Sequence, residues 1–301
     1  MWLKKAIGVF LLLGVSLTVQ GQGEDFHFVL FTNQDHSLYL FDGTSANQIT
    51  GDEWVVTYTT TETAILAVTD TVSGQNILEY DLNGEFQSAL TDFDADNTPI
   101  WVDLADIPSS DELIGGFERI GALEGGLYRF DPGNVFSSLS YIGEGSNPDV
   151  SSDGRFLVFD RSVQRLTDLD TPYVYSAVVL YNLETKAWVY VTSELQGSCA
   201  GAQWHPTQNK VVYICARVED VESTLRTYVT DIDSAETEQL PLPPGRKVYG
   251  CAVVWSSDGS AIAYNTESGI AVLSLESMTF EFLDYPSALV DEGVSCIKWL
   301  P

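Results

Sequence analysis

Apolar and polar residues alternate along most of the chain, in short runs separated by turns. In NPDVSSDGRFLVFDR (147–161), an apolar strand ends at Val150, an Asp-Gly turn follows, and a second apolar strand begins. Asp-Gly between two apolar runs favours a β-hairpin. The same order recurs in AQWHPTQNKVVYICAR (202–217) and VVWSSDGSAIAYNTES (253–268). The pattern therefore predicts a protein built from antiparallel strands.

Three marks keep a common phase and divide the chain into six repeats of about 49 residues. The residue before the first turn is Trp54, Trp101, Val150, Trp204, Trp255 and Trp299. A short polar residue ends the third strand at Asp42, Asp81, Asp131, Asn182, Asp231 and Ser274. The fourth strand closes at Ile49-Thr50, Leu90-Thr91, Leu139-Ser140, Val191-Thr192, Leu240-Pro241 and Leu283-Asp284.

Four strands repeated six times predict an all-β, six-bladed β-propeller of four-stranded antiparallel blades. The Trp and Val marks are expected to fill the layers between blades, because a single blade cannot bury its own apolar faces. The repeats at Trp54 and Trp101 are weaker, since the first has TTTETA in place of Asp-Gly and the second has a glycine-broken second strand, ELIGGFERI. Five or seven blades is the alternative.

The two ends of the chain complement each other. VSCIKWLP (294–301) matches only the first strand of a repeat, and EDFHFVLFTNQDHSLYLFDGTSANQIT (24–50) matches the remaining three. We therefore expect the last blade to be closed by N- and C-terminal strands together, which removes the open edge of a linear array.

These units resemble the repeats of TolB-type propellers, whose pattern is Leu-Thr, a loop, Pro-x-Trp-Ser-Pro-Asp-Gly, an apolar strand and a strand ending in Asp. Residues 147–161 and 253–265 match it best, with Ser152 and Ser257 in place of the proline before Asp-Gly. The resemblance covers nearly all of the chain after the leader. It implies the propeller fold and transfers no binding residue, and the chain has no room for the additional N-terminal domain of TolB itself.

The first residues, MWLKKAIGVFLLLGVSLTVQGQG, combine a basic start, a short apolar run and small residues. This is the composition of a secretory signal peptide. We predict a signal peptide at 1–21 and a single propeller domain at 22–301 in an exported protein that is periplasmic, at the cell surface or secreted. An uncleaved N-terminal anchor is the alternative.

The acidic composition limits the classes of partner that the protein can bind. The formal net charge is −29, from 43 acidic and 14 basic residues, which disfavours nucleic acid and anionic membranes. Such a surface attracts cations or a basic partner, or serves only solubility.

The four cysteines allow two disulfides. Cys199 and Cys215 are equidistant from a predicted hairpin turn, and Cys251 and Cys296 lie just before Trp marks in neighbouring blades. Export permits two such disulfides; four buried thiols are the alternative.

Motifs for chemistry are sparse. The chain has no Gly-x-Ser-x-Gly, P-loop, His-Glu-x-x-His or Cys-x-x-Cys motif, so we predict no catalytic residue, cofactor or metal. TDFDADNTPIWVD (91–103) partly resembles a calcium loop, with Asp92, Asp94 and Asp96 alternating. Asn97 replaces the usual glycine and Asp103 the usual glutamate. A solvated acidic loop is the simpler interpretation.

The sequence favours a monomeric, non-enzymatic binding module for a protein or a cell-envelope component, because loops on rigid scaffolds carry recognition. A glycosidase, lyase or lactonase with carboxylates at the channel mouth is the alternative. It would require a deep central pocket with converging carboxylates of raised pKa, whereas a channel filled by side chains would argue against it. The candidate acids are Asp103, Asp106, Asp111, Glu112, Asp149 and Asp160.

Overall fold

The computed structural model describes residues 26–71, 74–94, 98–108, 110–119, 123–166, 172–193, 196–216 and 225–300. These residues form a six-bladed β-propeller of four-stranded antiparallel blades, as the repeats predict. The predicted signal peptide lies outside the described residues, so it stays a prediction.

The strands run in chain order from the inside of each blade to its rim. Blades 1 to 3 comprise β4 (Trp54–Thr60), β5 (Ala64–Thr71), β6 (Gly74–Asp81), β7 (Phe86–Ala89); β8 (Ile100–Asp106), β9 (Leu113–Arg119), β10 (Gly126–Phe130), β11 (Ser140–Gly143); and β12 (Ser146–Val150), β13 (Phe156–Leu166), β14 (Pro172–Asn182), β15 (Trp188–Tyr190). Blades 4 to 6 comprise β16 (Ser198–Trp204), β17 (Lys210–Ala216), β18 (Leu225–Asp231), β19 (Thr237–Leu240); β20 (Val248–Trp255), β21 (Ala261–Thr266), β22 (Gly269–Ser274), β23 (Thr279–Asp284); and β24 (Val294–Trp299) followed by β1 (Phe28–Thr32), β2 (Leu38–Phe41) and β3 (Ala46–Gln48). Within the described ranges, two short α-helices, α1 (Val135–Ser138) and α2 (Ser287–Glu292), lie in connections between strands.

The ring is closed as predicted. β24 pairs antiparallel with β1, so that Phe28 faces Trp299 and Leu30 faces Ile297. β24 also forms a parallel bridge to β20 of blade 5, which joins blades 5 and 6 into one eight-stranded sheet. The inner strand of blade 6 is therefore C-terminal and its outer strands are N-terminal.

The core lies between blades. Trp101 packs against Phe117 and Phe130 of its own blade and lies in one apolar cluster with Leu66 and Ile77 of blade 1. Corresponding clusters at other interfaces contain Trp204 and Trp255. Each blade supplies one wall of two such layers, and this mutual burial stabilises the ring.

The first mark is correct in four repeats and wrong in two. Val150, Trp204, Trp255 and Trp299 are the last residues of their inner strands, whereas Trp54 begins β4 and Trp101 is the second residue of β8. Trp54 does not fill an inter-blade layer: it is 50% exposed and stacks on the ring of His36, with centroids 3.7 Å apart. In these two blades the tryptophan lies at the start of the inner strand, so this residue does not occupy the same strand position in every repeat.

The second mark has a local cause. Asp42, Asp81, Asp131, Asn182 and Asp231 each accept hydrogen bonds from backbone N–H groups two to four residues later. This Asx-turn geometry ends the third strand and starts the connection to the fourth.

The third mark also has a hydrogen-bond cause. Thr50, Thr91 and Thr192 are buried, and each hydroxyl accepts the N–H of a residue in the adjacent third strand. In blade 2 the assignment was wrong, since Ser140 opens β11 instead of closing it. A 3-10 turn (Pro132–Asn134) and α1 occupy the preceding connection and delay the strand.

The second strand of blade 2 is not broken by its glycines, contrary to the expectation. β9 is one continuous strand that pairs regularly with β10, and it also pairs with β8 despite register shifts around Trp101. A Cβ on Gly115 would lie 2.8 Å from the Trp101 ring, and one on Gly116 would lie 2.9 Å from the Asp103 Cβ. The glycines therefore make room for the side chains of the inner strand.

Candidate functional site

A cavity of about 550 Å³ lies on the propeller axis. Every inner strand contributes to its lining, which the fold requires of a central channel. Its volume falls within the range of about 300–1,000 Å³ that is typical of small-molecule sites. The channel is therefore open, not filled by side chains.

Bulges in the inner strands shape the channel wall. The pairing register between the first and second strands shifts in all six blades. In blades 1 to 4, the inner-strand residues skipped by these shifts line the cavity: Val56, Val102, Asn147, Pro148, Gly201 and Ala202. A bulge turns a side chain or an N–H group out of the ladder, and here it turns them toward the axis.

Two bulges adopt left-handed backbone conformations. Asn147 has φ of +50° and Gly201 has φ of +67°. Asparagine and glycine are the residues that tolerate this region. A Cβ on Gly201 would meet no atom within 4 Å, so the space in front of this residue belongs to the cavity.

A buried carboxylate holds these two bulges together. Asp160 of β13 is only 3% exposed and accepts a 2.7 Å hydrogen bond from Asn147 Nδ2 and a 2.9 Å bond from the Gly201 N–H. The two donors belong to blades 3 and 4, so Asp160 links neighbouring blades. Burial raises the pKa of Asp160 to about 7, and the nearby Asp103 charge adds to the rise.

Asp103 faces the cavity directly from β8. Its Oδ2 accepts the N–H of Asn147 at 3.1 Å, which links blade 2 to blade 3. Burial raises the pKa of Asp103 to about 6, although this hydrogen bond and the charge of Lys298 oppose the rise. Asp149 forms a similar link, since its Oδ2 accepts the N–H of Trp204 at 2.7 Å and burial raises its pKa.

The other candidate acids lie away from the lining. Asp106 ends β8, and burial raises its pKa to about 6. Asp111 is exposed, and Glu112 forms an ion pair with Arg129. Of the six candidates, only Asp103 is among the side chains that line the cavity.

The acidic segment that partly resembles a calcium loop does not bring its aspartates together. Asp92 and Asp94 line a separate groove beside Phe93 and Phe136, whereas Asp103 lies in the channel. Asp96 lies outside the described residues. Within the described ranges, no group of three or more His, Cys, Asp or Glu side chains could hold a metal ion.

The cysteines lie in two pairs across strands. Cys199 and Cys215 are register partners in β16 and β17 and are joined by a disulfide. Cys251 and Cys296 are register partners in the parallel bridge between β20 and β24. Cys296 is disulfide-bonded, but the side chain of Cys251 lies outside the described residues. Its pairing stays a prediction.

Sequence reasoning missed Lys298 and the bulges. Lys298 lines the cavity from β24, and its position in the terminal strand next to a Trp mark was the available signal. The bulges leave no composition signal beyond Gly201, because which strand residue lacks a partner depends on pairing.

None of the helices in the described ranges is long and apolar enough to cross a membrane.

No protein-family model matches the chain, and no curated protein sequence matches it. Solved structures share its architecture. A chain from a nidogen/laminin complex is 10% identical with a TM-score of 0.63, covering 91% of this chain and 98% of that one. A putative TolB from Agrobacterium tumefaciens is 9% identical with a TM-score of 0.58, covering 91% and 98%. An oligogalacturonate lyase from Vibrio parahaemolyticus is 12% identical with a TM-score of 0.50, covering 87% and 85%. At these identities the likeness supports the β-propeller fold alone.

Proposed function

We propose that the protein is an exported, non-enzymatic binding module whose ligand, a protein segment or a cell-envelope component, enters the central channel. The observation that carries the proposal is the open axial cavity of about 550 Å³ with its wall of bulged inner strands. Concave, largely apolar and preformed cavities with a few polar groups are the usual ligand sites of proteins.

The carboxylates of the channel favour binding over catalysis. Most glycosidases need two carboxylates across the scissile bond, and among the described residues the lining contains one, Asp103. Asp149 and Asp160 instead accept N–H groups from the next blade. These two acids act as links between blades.

Export is supported by the leader-like residues 1–21 and by the Cys199–Cys215 disulfide, since disulfides persist outside the reducing cytosol. The net charge of −29 favours a basic partner over an anionic one. Known propellers of this shape include one that was solved in complex with laminin. We infer a monomer that recognises another envelope or extracellular component.

Blocking the channel tests the proposal. Val102 lines the cavity and is 43% exposed, and Val290 on α2 is 44% exposed but remote from it. Val102→Trp should fill part of the cavity and abolish capture of a component from an envelope extract of the source organism, whereas Val290→Trp should retain it. Quantitative mass spectrometry of the captured material is the measurement. Equal capture by both variants would exclude the channel, and no capture by the unmodified protein would count against a binding module.

An enzyme is the second candidate, because Asp103 and Asp160 have raised pKa values beside an open central cavity. A raised pKa is typical of catalytic acids. Incubation with oligogalacturonate, other polysaccharides and lactones tests it. Turnover that Asp103→Asn abolishes and Asp111→Asn leaves intact would replace the binding proposal. Absence of turnover would leave the enzyme without support.

A further inference from the structure

Among the described residues, the lining of the cavity has one acidic side chain, Asp103, and one basic side chain, Lys298. The Lys298 charge lowers the pKa of Asp103, but the two side chains form no salt bridge. Among the described residues, no nitrogen–oxygen pair within 4.0 Å joins them. The remainder of the lining is apolar or uncharged, with side chains such as Val102, Leu104 and Ile214.

The position of Asp103 leaves it able to bind a cation. The strand bulge at Val102 and the absence of a side chain on Gly116 allow it to stand beside the cavity. In the described part of the chain its one hydrogen-bond donor is the N–H of Asn147, which contacts Oδ2. An ionised carboxylate has about four acceptor sites, so most of its capacity remains for a ligand.

The position of Lys298 leaves it able to bind an anion. Lys298 lies in β24 and is the register partner of Val29 in β1. These two strands close the ring. No ion pair or hydrogen bond of its ammonium group occurs within the described ranges. Asp149 is near enough for the Lys298 charge to lower its pKa, but its Oδ2 accepts the Trp204 N–H.

We propose that the channel binds a zwitterion of the amino-acid or short-peptide type, with its ammonium group at Asp103 and its carboxylate at Lys298. This inference rests on the proposed function and specifies its ligand. Entry of any ligand removes water from both side chains, and a desolvated charge without a partner is costly. A zwitterion supplies an oppositely charged partner to each side chain, whereas a neutral ligand supplies no opposite charge and a singly charged ligand supplies one. The apolar walls suit the side chains of the ligand.

This assignment predicts how binding depends on pH. Among the described residues, Lys298 on β24 and Asp160 on β13 interact electrostatically with Asp103, and Asp149 on β12 interacts with Lys298. Protonation of Asp103, whose pKa burial raises to about 6, would remove the partner of the ammonium group. Affinity for a zwitterion should therefore fall as the pH drops from 7.5 to 5.

Calorimetric titration of the full chain with three related probes tests the inference. The probes are alanyl-leucine, its N-acetyl derivative and its C-terminal amide. Free alanyl-leucine should bind, and each capped form should bind roughly 10- to 100-fold more weakly, the ratio expected for loss of one charged hydrogen-bonding partner.

Matched variants assign each end. Lys298→Met should lower the affinity for free alanyl-leucine by a similar factor, and in this variant the amide should bind as well as the free peptide. Asp103→Asn should also lower the affinity for the free peptide, and in that variant the N-acetyl derivative should bind as well as the free peptide. Lys186→Met and Asp111→Asn change exposed residues outside the cavity and should bind like the unmodified protein.

Three outcomes would overturn the inference: no binding of alanyl-leucine at millimolar concentration, equal binding of all three probes, or penalties that persist in the variants. The proposed function is judged separately. If Val102→Trp abolishes capture from the extract but the dipeptide does not bind, the proposed channel binding is supported and the proposed zwitterionic ligand is refuted.

Discussion

Aspartates in this protein serve two opposite electrostatic roles. At the blade rims, Asp42 accepts several N–H and hydroxyl groups, and these bonds hold its pKa far below the usual value. In the channel wall, burial dominates and raises the pKa of Asp103 and Asp160. The rim aspartates are recognisable in the sequence because their bonds are local. The channel aspartates are not, because their partners lie in other blades.

The raised pKa of Asp160 predicts how stability depends on pH. The usual pKa of 3.8 applies to the unfolded chain, and the folded value is about 7. Between these values the folded state binds more protons than the unfolded state, so the free energy of unfolding falls as the pH rises. From pH 5.5 to 8, Asp160 alone should account for a loss of roughly 2 kcal/mol.

Asp160→Asn keeps an acceptor for Gly201 and removes the titration. Urea titrations at pH 5.5 and at pH 8 measure the free energy of unfolding. The loss of stability between these two pH values should be about 2 kcal/mol smaller in this variant than in the unmodified protein. Glu118→Gln, at an exposed position of β9, should preserve the full pH dependence. An unmodified protein that gains stability between pH 5.5 and 8 would contradict the prediction.

At the scale of strands and hairpins, sequence reasoning identified elements well and strand registers poorly. Asp-Gly turns located the first hairpins of blades 3 and 5, and the spacing of Cys199 and Cys215 about their turn agrees with their register. Trp54 and Trp101 lie at the start of their inner strands, whereas the other marks lie at the end, and the residue type does not distinguish the two positions. The bulges were missed because which strand residue lacks a partner depends on pairing.

The cysteine pairing can be tested by tryptic mapping without reduction. Cys199 and Cys215 lie in separate tryptic peptides, 187–210 and 211–217, which a disulfide would link. Cys251 and Cys296 share one peptide, 248–298, so a bridge there would lower its mass by two hydrogens. We expect both signatures. Recovery of the free peptides would refute the corresponding bridge.

The first bridge also has an expected effect on stability. It joins residues 16 positions apart. Closing a loop of that size lowers the entropy of the unfolded chain and so raises the free energy of unfolding by about 3 kcal/mol. Replacing Cys199 and Cys215 together by alanine should lower the free energy of unfolding by about this amount, as measured by urea titration. Gln208→Ala, in the exposed turn of the same hairpin, should have a much smaller effect. A double variant as stable as the unmodified protein would show that the bridge does not stabilise the fold.

At the scale of the whole molecule, ring closure makes stability cooperative. β24 contributes Ile297 to the apolar cluster between blades 5 and 6 and bridges to blade 5, so its loss would expose both blades. Deletion of residues 294–301 should therefore unfold the whole domain. Circular dichroism and thermal melting are the measurements.

A rim substitution provides the control for this deletion. Val189→Pro alters β15, an exposed outer strand of blade 3, and should cost far less than the deletion. A deletion variant that melts like the intact protein would refute the closure.

The sequence by itself determined the strand repeat, the count of blades and the joint closure by both ends, because these depend on local turn chemistry and on apolar alternation that one chain can display. The tertiary structure alone decided which of the many acids face the channel, which strand residues bulge toward the axis, and that Asp103 and Lys298 share one cavity. Those relations join residues from different blades, and the angles and registers that bring them together arise only when six sheets pack around an axis. The candidate site therefore could not be read from the order of residues, although the scaffold that builds it could.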